Sequence, residues 1–461
     1  MKRISENFLY RWYNSPHRKP LVIRGARQVG KSTLVRQFAQ KNQLTLNEIN
    51  LERHLQLDAI FATLDVQRIL REMEGLLGRF VDESNSVLFL DEIQATPHAL
   101  QALRYLYEER PQLSVVAAGS LLEFALAEKT FSMPVGRIEY LHLGPMSFEE
   151  YLLEIDAPLL PYLTTCEPAA PIPTTVHTRL LQRQREYMLV GGMPEAVLVF
   201  SQRSAFTDVA DVQRAIMDTY QDDFAKYGSR SALLRLQTLF NYVPRTVGQK
   251  MKYSNVSRDE NARELRAAIE MLSKARVVSP VLHSHCSGLP LYADVVASTY
   301  KLLFLDVGLM NRACGLDWLA ISSLDERSFV NEGAMAEQFI GQHLLYQDEG
   351  RESPRLCYWL REQKVKNAEV DYVISRGERI VPIEVKAGKS GSLRSLHQFV
   401  LHKHVNLAVR FDLNPISIQR VEHKLDASTS IAFDLLSAPL YMVGQLGRLI
   451  DLYRSGQLRS D

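Results

Sequence analysis

Near the start of the chain, Gly25-Ala26-Arg27-Gln28-Val29-Gly30-Lys31-Ser32 fits the pattern GxxxxGK[ST] at every fixed position. Glycines let a backbone wrap a phosphate with its N–H groups pointing inward, and the following helix N-terminus adds partial positive charge. Lys31 is then expected to reach the β- and γ-phosphates of ATP and Ser32 to ligate Mg²⁺, with Gly25 to Thr33 as the nucleotide contacts. A second group lies at Asp91-Glu92, straight after the apolar run Val87-Leu88-Phe89-Leu90. Carboxylates at the carboxyl end of a buried parallel strand sit where open α/β sheets bind ligands. Asp91 is expected to hold Mg²⁺ through water and Glu92 to polarise an attacking water. An acidic helix cap is the alternative for this pair. Ser120, after the run Leu113–Ala118 and Gly119, is placed to sense the γ-phosphate or the water, or else to cap a helix starting at Leu121. Arg137, in Val135-Gly136-Arg137-Ile138, is a candidate arginine finger or a solvated surface arginine.

A different chemistry is suggested at 369–386. Glu369–Ser375 and Ile380–Lys386 are strand-like runs flanking Arg376-Gly377-Glu378-Arg379, which reads as a four-residue hairpin loop. With Ser375 opposite Ile380, Val373 faces Pro382, Asp371 faces Glu384 and Glu369 faces Lys386. Strand alternation then places those last four polar residues on one face, and Val370, Tyr372, Ile374, Val381, Ile383 and Val385 on the other. Opposed Asp371 and Glu384 would repel at a Cβ separation of ~5 Å. A divalent metal would compensate, and carboxylate oxygens suit Mg²⁺. Lys386 would point into the same pocket to orient water or to stabilise developing charge. This is the D…ExK arrangement of PD-(D/E)xK nucleases, in which metal activates water against a phosphodiester. Glu337, in the apolar-periodic segment Phe329–Leu345, matches the extra acidic position of such folds, and Gln398 is a weaker candidate. The plain alternative is a solvated face on which Lys386 and Glu369 neutralise the carboxylates. Pro382 is awkward in this register, because proline removes a ladder donor and prefers an edge strand.

The elements that must carry these groups follow from periodicity. Leu21–Ile23, Ser86–Leu90 and Leu113–Ala118 read as strands, separated by helical segments such as Thr33–Gln40 and His98–Glu109. Strands alternating with helices predict a parallel α/β sheet. The Pro- and Thr-rich stretch 156–175 reads as a linker. Residues 176–275 read as mainly helical, with basic helices near Arg179–Tyr187, Ala232–Tyr242 and Asn261–Lys274. From 229 onward the pattern fits a winged helix, with Val277–Leu282 and Leu289–Asp294 as wing strands around Ser287-Gly288. Such a unit can place a basic helix in a DNA groove, or pack against a partner. His283-Ser284-His285-Cys286 lacks a second ligand pair at zinc spacing and reads as a plain wing strand.

The stretches GARQVGKST, VLFLDEIQ, AAGSLLEF, VGRIEYLHLGPMSFEEYL, GGMPEAV, YKLLFLDVGLMN and AEVDYVIS…IVPIEVKAG, in this order, resemble the prokaryotic AAA-type ATPases that carry an uncharacterised C-terminal domain of restriction-endonuclease-like type. The resemblance covers most of the chain. It implies an α/β chain built as an AAA-like P-loop ATPase domain at 1–155, a helical lid-type segment at 176–228, a winged helix at 229–325 and a PD-(D/E)xK nuclease-like domain at 326–461. It supports the Gly119-Ser120 and Gly136-Arg137 positions as parts of the ATP site, and implies a role near the nucleotide for Gly191-Gly192-Met193-Pro194.

Length and composition bound these readings. The chain has 461 residues, 46% hydrophobic and 23% charged, which suits several globular domains and excludes a chain that is mainly disordered. Lys plus Arg total 54 against 53 Asp plus Glu, a net charge of +1. A broad basic surface is thereby excluded, so contact with DNA would run through local patches. Cys166, Cys286, Cys314 and Cys357 form no CxxC pair, and no apolar run has the length of a membrane span. The chain reads as a cytoplasmic protein with ATP, Mg²⁺ and DNA as expected ligands and no membrane partner. An Arg137 acting in trans would require a homo-oligomer.

Overall fold

The computed structural model describes residues 1–120, 136–225, 229–316, 332–362, 367–388, 392–424 and 430–458. The chain divides into two units. The first comprises Met1–Pro145, Glu270–Val277 and Tyr346–Pro354, and the second Met146–Ile269, Val278–Leu345 and Arg355–Asp461.

The first unit is built on a five-stranded sheet of order β2-β3-β4-β1-β5, with β1 Leu21–Arg24, β2 Thr45–Asn50, β3 Ser86–Asp91, β4 Val115–Gly119 and β5 Glu139–His142. Every pairing in it is parallel. Parallel strands covered on both faces are apolar throughout rather than alternating. All six residues of β3 and all five of β4 are accordingly buried. One face packs the helix Pro97–Glu109 through Ala99, Leu100, Leu103 and Leu106, and the helix Val66–Leu77 through Val66, Ile69 and Met73, in one core. Fully burying such a side chain stabilises by about 1.5–3 kcal/mol. The sheet is therefore a stiff platform for whatever its carboxyl edge carries. The expected parallel α/β sheet is observed.

The second unit contains an eight-stranded mixed sheet of order β12-β13-β11-β10-β9-β8-β6-β7. Its strands are β6 Val278–Ser284, β7 Val295–Phe304, β8 Leu356–Arg361, β9 Ala368–Arg376, β10 Arg379–Val385, β11 Leu407–Asp412, β12 Ser417–Lys424 and β13 Ser430–Pro439. The helix Arg394–Lys403 buries Leu396, Phe399 and Val400 against Val370, Val373 and Phe433. The helix Glu332–Leu345 lies near β7, β8 and β10.

Several local expectations are corrected here. Leu289–Asp294 forms a turn rather than a wing strand, and the strand that pairs with β6 is β7, with Tyr300 opposite Leu282. β6 also pairs in parallel with β8, so the β6–β7 hairpin and β8–β13 form one sheet. The 156–175 stretch holds a 3₁₀ turn, Ala157–Leu159, and a short helix, Leu160–Thr165, opened by Pro161 in its first turn, where proline costs no hydrogen bond. The expected helix after Ser120 and residues 329–331 of the helix expected at Phe329–Leu345 lie outside the described residues.

Candidate functional site

The first site lies at the carboxyl ends of β1, β3 and β4. The loop after β1 leads into the helix Lys31–Lys41 through Gly30, whose φ of 91° is left-handed and favours glycine. A Cβ on Gly25 would stand 2.2 Å from the Leu143 carbonyl oxygen, so that position tolerates no side chain. The Arg3 guanidinium is buried and donates to the carbonyls of Val29 (2.7 Å) and Gly144 (2.8 Å), bracing the loop from beneath. Nothing in the sequence around Arg3 signals that role.

Lys31 is buried, and its ammonium donates to the carbonyls of Gly25 (3.0 Å) and Ala26 (2.7 Å). Burial pulls its pKa down to about 8; Glu92 and Asp91 oppose that shift and Arg27 adds to it. Ser32 Oγ donates to Asp91 Oδ2 at 2.9 Å, which brings the hydroxyl and carboxylate expected at Mg²⁺ into contact. Burial raises the Asp91 pKa, and the Ser32 hydrogen bond opposes it. This hydroxyl–carboxylate donor set, beside a buried ammonium, fits Mg²⁺ held with a polyphosphate. Glu92 follows with a left-handed φ of 52°. Gln94 Nε2 donates to its carboxylate, while the same amide packs against Gly119, where a Cβ would meet Gln94 Oε1 at 2.4 Å. Gln94 is thus a positioning residue whose role the sequence did not disclose.

Since β4 lies between β1 and β3, Ser120 at its tip stands between the phosphate loop and Asp91-Glu92. Its buried Oγ has no hydrogen-bond partner among the described residues. Arg137 is half-exposed, and its Nε donates to Glu108 Oε1 at 3.0 Å on the helix Pro97–Glu109. It is tied to the flank of its own unit.

The second site belongs to the mixed sheet. The β9–β10 register is the expected one, with Ser375 opposite Ile380 and Val373 opposite Pro382, and it continues to Tyr372 opposite Ile383. There the ladder ends, one pair short of Asp371 and Glu384. Instead the Val385 N–H donates to Asp371 Oδ2 at 2.8 Å. Arg376 pairs with Arg379, so the connection is a two-residue turn, Gly377-Glu378, and not a four-residue loop. Pro382 is accommodated in an internal strand because the β10–β11 ladder begins only at Ile383.

The expected alternation is broken by a bulge. Cys357 pairs with Val373 but Trp359 pairs with Val370, so three steps on β9 oppose two on β8. Val370 and Val373 therefore share the core under the Arg394–Lys403 helix, while Tyr372 Oη donates to the Glu337 carbonyl at 2.8 Å on the Glu332–Leu345 helix.

Glu337, Glu369, Asp371 and Glu384 do come together, but around a residue the motif did not contain. Lys301, from the edge strand β7, has a side chain only 3% exposed. Its ammonium lies against Glu369, 3.6 Å from Glu337 Oε2 and 4.0 Å from Asp371 Oδ1. Burial works against its charge, but Glu337, Asp371 and Glu369 outweigh burial and raise its pKa. Lys386 Nζ donates to Glu384 Oε1 at 2.6 Å. Burial, and next the Asp371 charge, push Glu337 and Glu384 up. The donor set is all oxygen, and Glu337 Oε2 and Glu384 Oε2 are buried without a hydrogen-bond partner among the described residues, which suits a divalent cation. As they stand, no three His, Cys, Asp or Glu side chains among the described residues are gathered to hold one ion. Gln398 is engaged elsewhere, accepting from Arg361 Nη1 at 2.7 Å.

The Gly191-Gly192 turn is clamped by Asp306. Gly192 N–H donates to the fully buried Asp306 Oδ2 at 2.6 Å, and Asp306 also caps the helix Val307–Ala313 through the Leu309 N–H. Among the described residues no helix is long and apolar enough to cross a membrane.

Residues 17–152 match the family model of an AAA domain. Residues 181–320 and 332–425 match two domains of unknown function, DUF8612 and DUF4143. No curated protein matches the chain. Among solved structures, the Walker-type ATPase of Pyrococcus abyssi is similar at 16% identity and a TM-score of 0.42, over 67% of this chain and 94% of that one. The Aeropyrum pernix ORC2 protein in ADPNP–ADP complexes gives 12% identity and a TM-score of 0.33, over 69% and 93%. The Aeropyrum pernix ORC1 protein in complex with DNA gives 12% and 0.29, over 70% and 95%. The phosphate loop, the Asp91 strand and the parallel sheet all lie within the segment 17–152 that is similar to an AAA domain, the P-loop ATPase kind.

Proposed function

We propose that the chain hydrolyses ATP, and that the nucleotide governs a nuclease-like C-terminal domain acting on DNA. The observation that carries the ATPase reading is the 2.9 Å contact of Ser32 with Asp91, which joins the phosphate loop to the acidic strand end. In this reading the loop N–H groups and Lys31 bind and orient the β- and γ-phosphates. Glu92, fixed by Gln94, accepts hydrogen bonds from the attacking water, and Ser120 holds that water or the γ-phosphate. Mg²⁺, when bound, supplies charge neutralisation on the transferring group. Arg137 is assigned the finger role toward a neighbouring copy. Glu92→Gln tests this: nucleotide binding should persist while hydrolysis falls by about 10²–10⁴-fold. Unchanged turnover would remove Glu92 from the role.

For the C-terminal domain, the convergence of Glu337, Asp371, Glu384 and Lys386 supports a PD-(D/E)xK-type site. There the three carboxylates would hold Mg²⁺ and Lys386 would orient water. The helix Ala262–Lys274 exposes Arg263, Arg266 and Lys274, diluted by the exposed Glu264 and Glu270, as a local patch for DNA. A second reading, an ATP-dependent switch whose C-terminal domain is an inactive binding platform, is favoured by Lys301, which already neutralises part of the cluster. Cleavage assays on single- and double-stranded DNA with Mn²⁺ or Mg²⁺, with and without ATP, separate the two. The nuclease reading requires cleavage that Glu384→Gln abolishes.

A further inference from the structure

The carboxylate cluster holds four acidic side chains, Glu337, Glu369, Asp371 and Glu384, and two ammonium groups, Lys301 and Lys386. Fully ionised, it is two positive charges short, the charge of one divalent ion. The two lysines divide the work. Lys386 is bound to Glu384. Lys301 serves the other three, lying against Glu369 and within 4.0 Å of both Glu337 Oε2 and Asp371 Oδ1. Its ammonium is also 5.1 Å from the ring centroid of the buried Tyr358, a second cation-holding contact. Unlike Lys386, which belongs to the ExK run, Lys301 arrives from the far edge of the sheet and reaches the centre of the cluster.

A divalent ion would want the same oxygens. Carboxylate oxygens of Glu337 and Asp371 that face an ammonium cannot turn fully to a second cation, and the two cations repel in a buried, weakly screened site. We propose that Lys301 is a built-in competitor for the divalent cation: a positioning residue that holds Glu337, Glu369 and Asp371 together and sets the metal affinity of the site. Ion entry requires the ammonium to withdraw from Glu337 and Asp371 toward Glu369. This accounts for two observations at once. The donor set suits Mg²⁺, yet among the described residues no three acidic groups stand ready around one ion. The inference rests on reading the cluster as a divalent-cation site.

The test is Mn²⁺ binding to the full-length protein, followed by calorimetry and by the loss of free-Mn²⁺ EPR signal, for the wild type, Lys301→Met and Lys301→Arg. Lys301→Met should bind Mn²⁺ about tenfold or more tightly than the wild type, and Lys301→Arg, which keeps the charge, no more tightly. Equal or weaker binding by Lys301→Met overturns the proposal while leaving the metal-site reading intact. Absence of binding in both proteins removes that reading and the proposal with it. Binding by Lys301→Met alone supports the competitor role and shows that the wild-type cluster works without metal. If Lys301→Met does not melt cooperatively in EDTA, Mn²⁺ should restore a cooperative transition where Na⁺ at matched ionic strength does not. Failure of that rescue overturns the proposal.

Discussion

Lys31 shows how much a single buried charge can be asked to do. Its ammonium must be protonated to bind phosphate, yet burial has brought its pKa down to about 8. A bound polyphosphate favours the charged form, so binding takes up a proton wherever the free protein has lost it. ATP affinity should therefore be flat below about pH 8 and weaken by about tenfold per pH unit above it. Lys31→Arg should abolish that slope, whatever it does to affinity, and Lys31→Ala should abolish tight binding. Titrations with a fluorescent ATP analogue between pH 6.5 and 9.5 measure both. The phosphate loop was fully legible because its residues are contiguous and its chemistry is local. Lys301 was not, because β7 and β9 are brought together only by the intervening pairings of β6 and β8. Gln94 and Arg3 escaped for a related reason, since each acts on a neighbour that only the folded chain supplies.

At the scale of elements, the helix Glu332–Leu345 both carries Glu337 and docks against the helix Phe148–Ile155. His343 Nδ1 donates to the Phe339 carbonyl (2.7 Å), leaving Nε2 to accept from the Phe148 N–H (2.8 Å). That N–H is one of the first-turn donors no helix can satisfy internally. Burial lowers the His343 pKa to about 4, and the Phe339 contact only partly opposes it. The unfolded chain binds a proton that the folded one refuses, so this stability is complete above about pH 6.5. It is lost as pH falls toward 4, and amounts to about 3 kcal/mol. His142, whose pKa is also near 4 through burial, has the same sign in the other unit. His343→Gln, which can keep both hydrogen bonds, should blunt the fall in melting temperature between pH 6.5 and 4.5 without removing it. If the two profiles superimpose, His343 is not the responsible group. The hairpin register could be read from apolar alternation as far as Tyr372–Ile383. The bulge beyond it could not, because it depends on how β9 meets β8.

At the scale of the whole molecule, the β6–β7 hairpin and the strands β8–β13 share one sheet. A fragment 326–461 would lack β6 and β7 and leave the edge of β8 unpaired, a template for aggregation. It should be insoluble or melt without cooperativity, whereas 146–461 should express in soluble form more readily. Soluble yield and calorimetry of the two fragments compare them. The parallel β6–β8 pair spans more than seventy residues, and no local pattern announces it. Arg137 poses its question at the same scale. If it acts on a neighbouring copy, ATPase turnover per chain should rise with protein concentration in the wild type and stay flat in Arg137→Ala. A flat wild-type profile would cancel the trans assignment.

The first unit also takes in two late segments, Glu270–Val277 and Tyr346–Pro354. The second of these is fastened to the opening helix Ser5–Tyr13, through the Arg11–Glu349 ion pair and the Arg351 guanidinium 5.6 Å from the Phe8 ring. On the ribosome, the phosphate loop emerges early, but the unit that houses it stays unfinished until residue 354 has left the exit tunnel. The five strands and the helices packed on them are complete once residue 142 is made, but the opening helix waits for its late partner through most of the synthesis. Folding in order of appearance therefore leaves the first unit without two of its segments until late in translation.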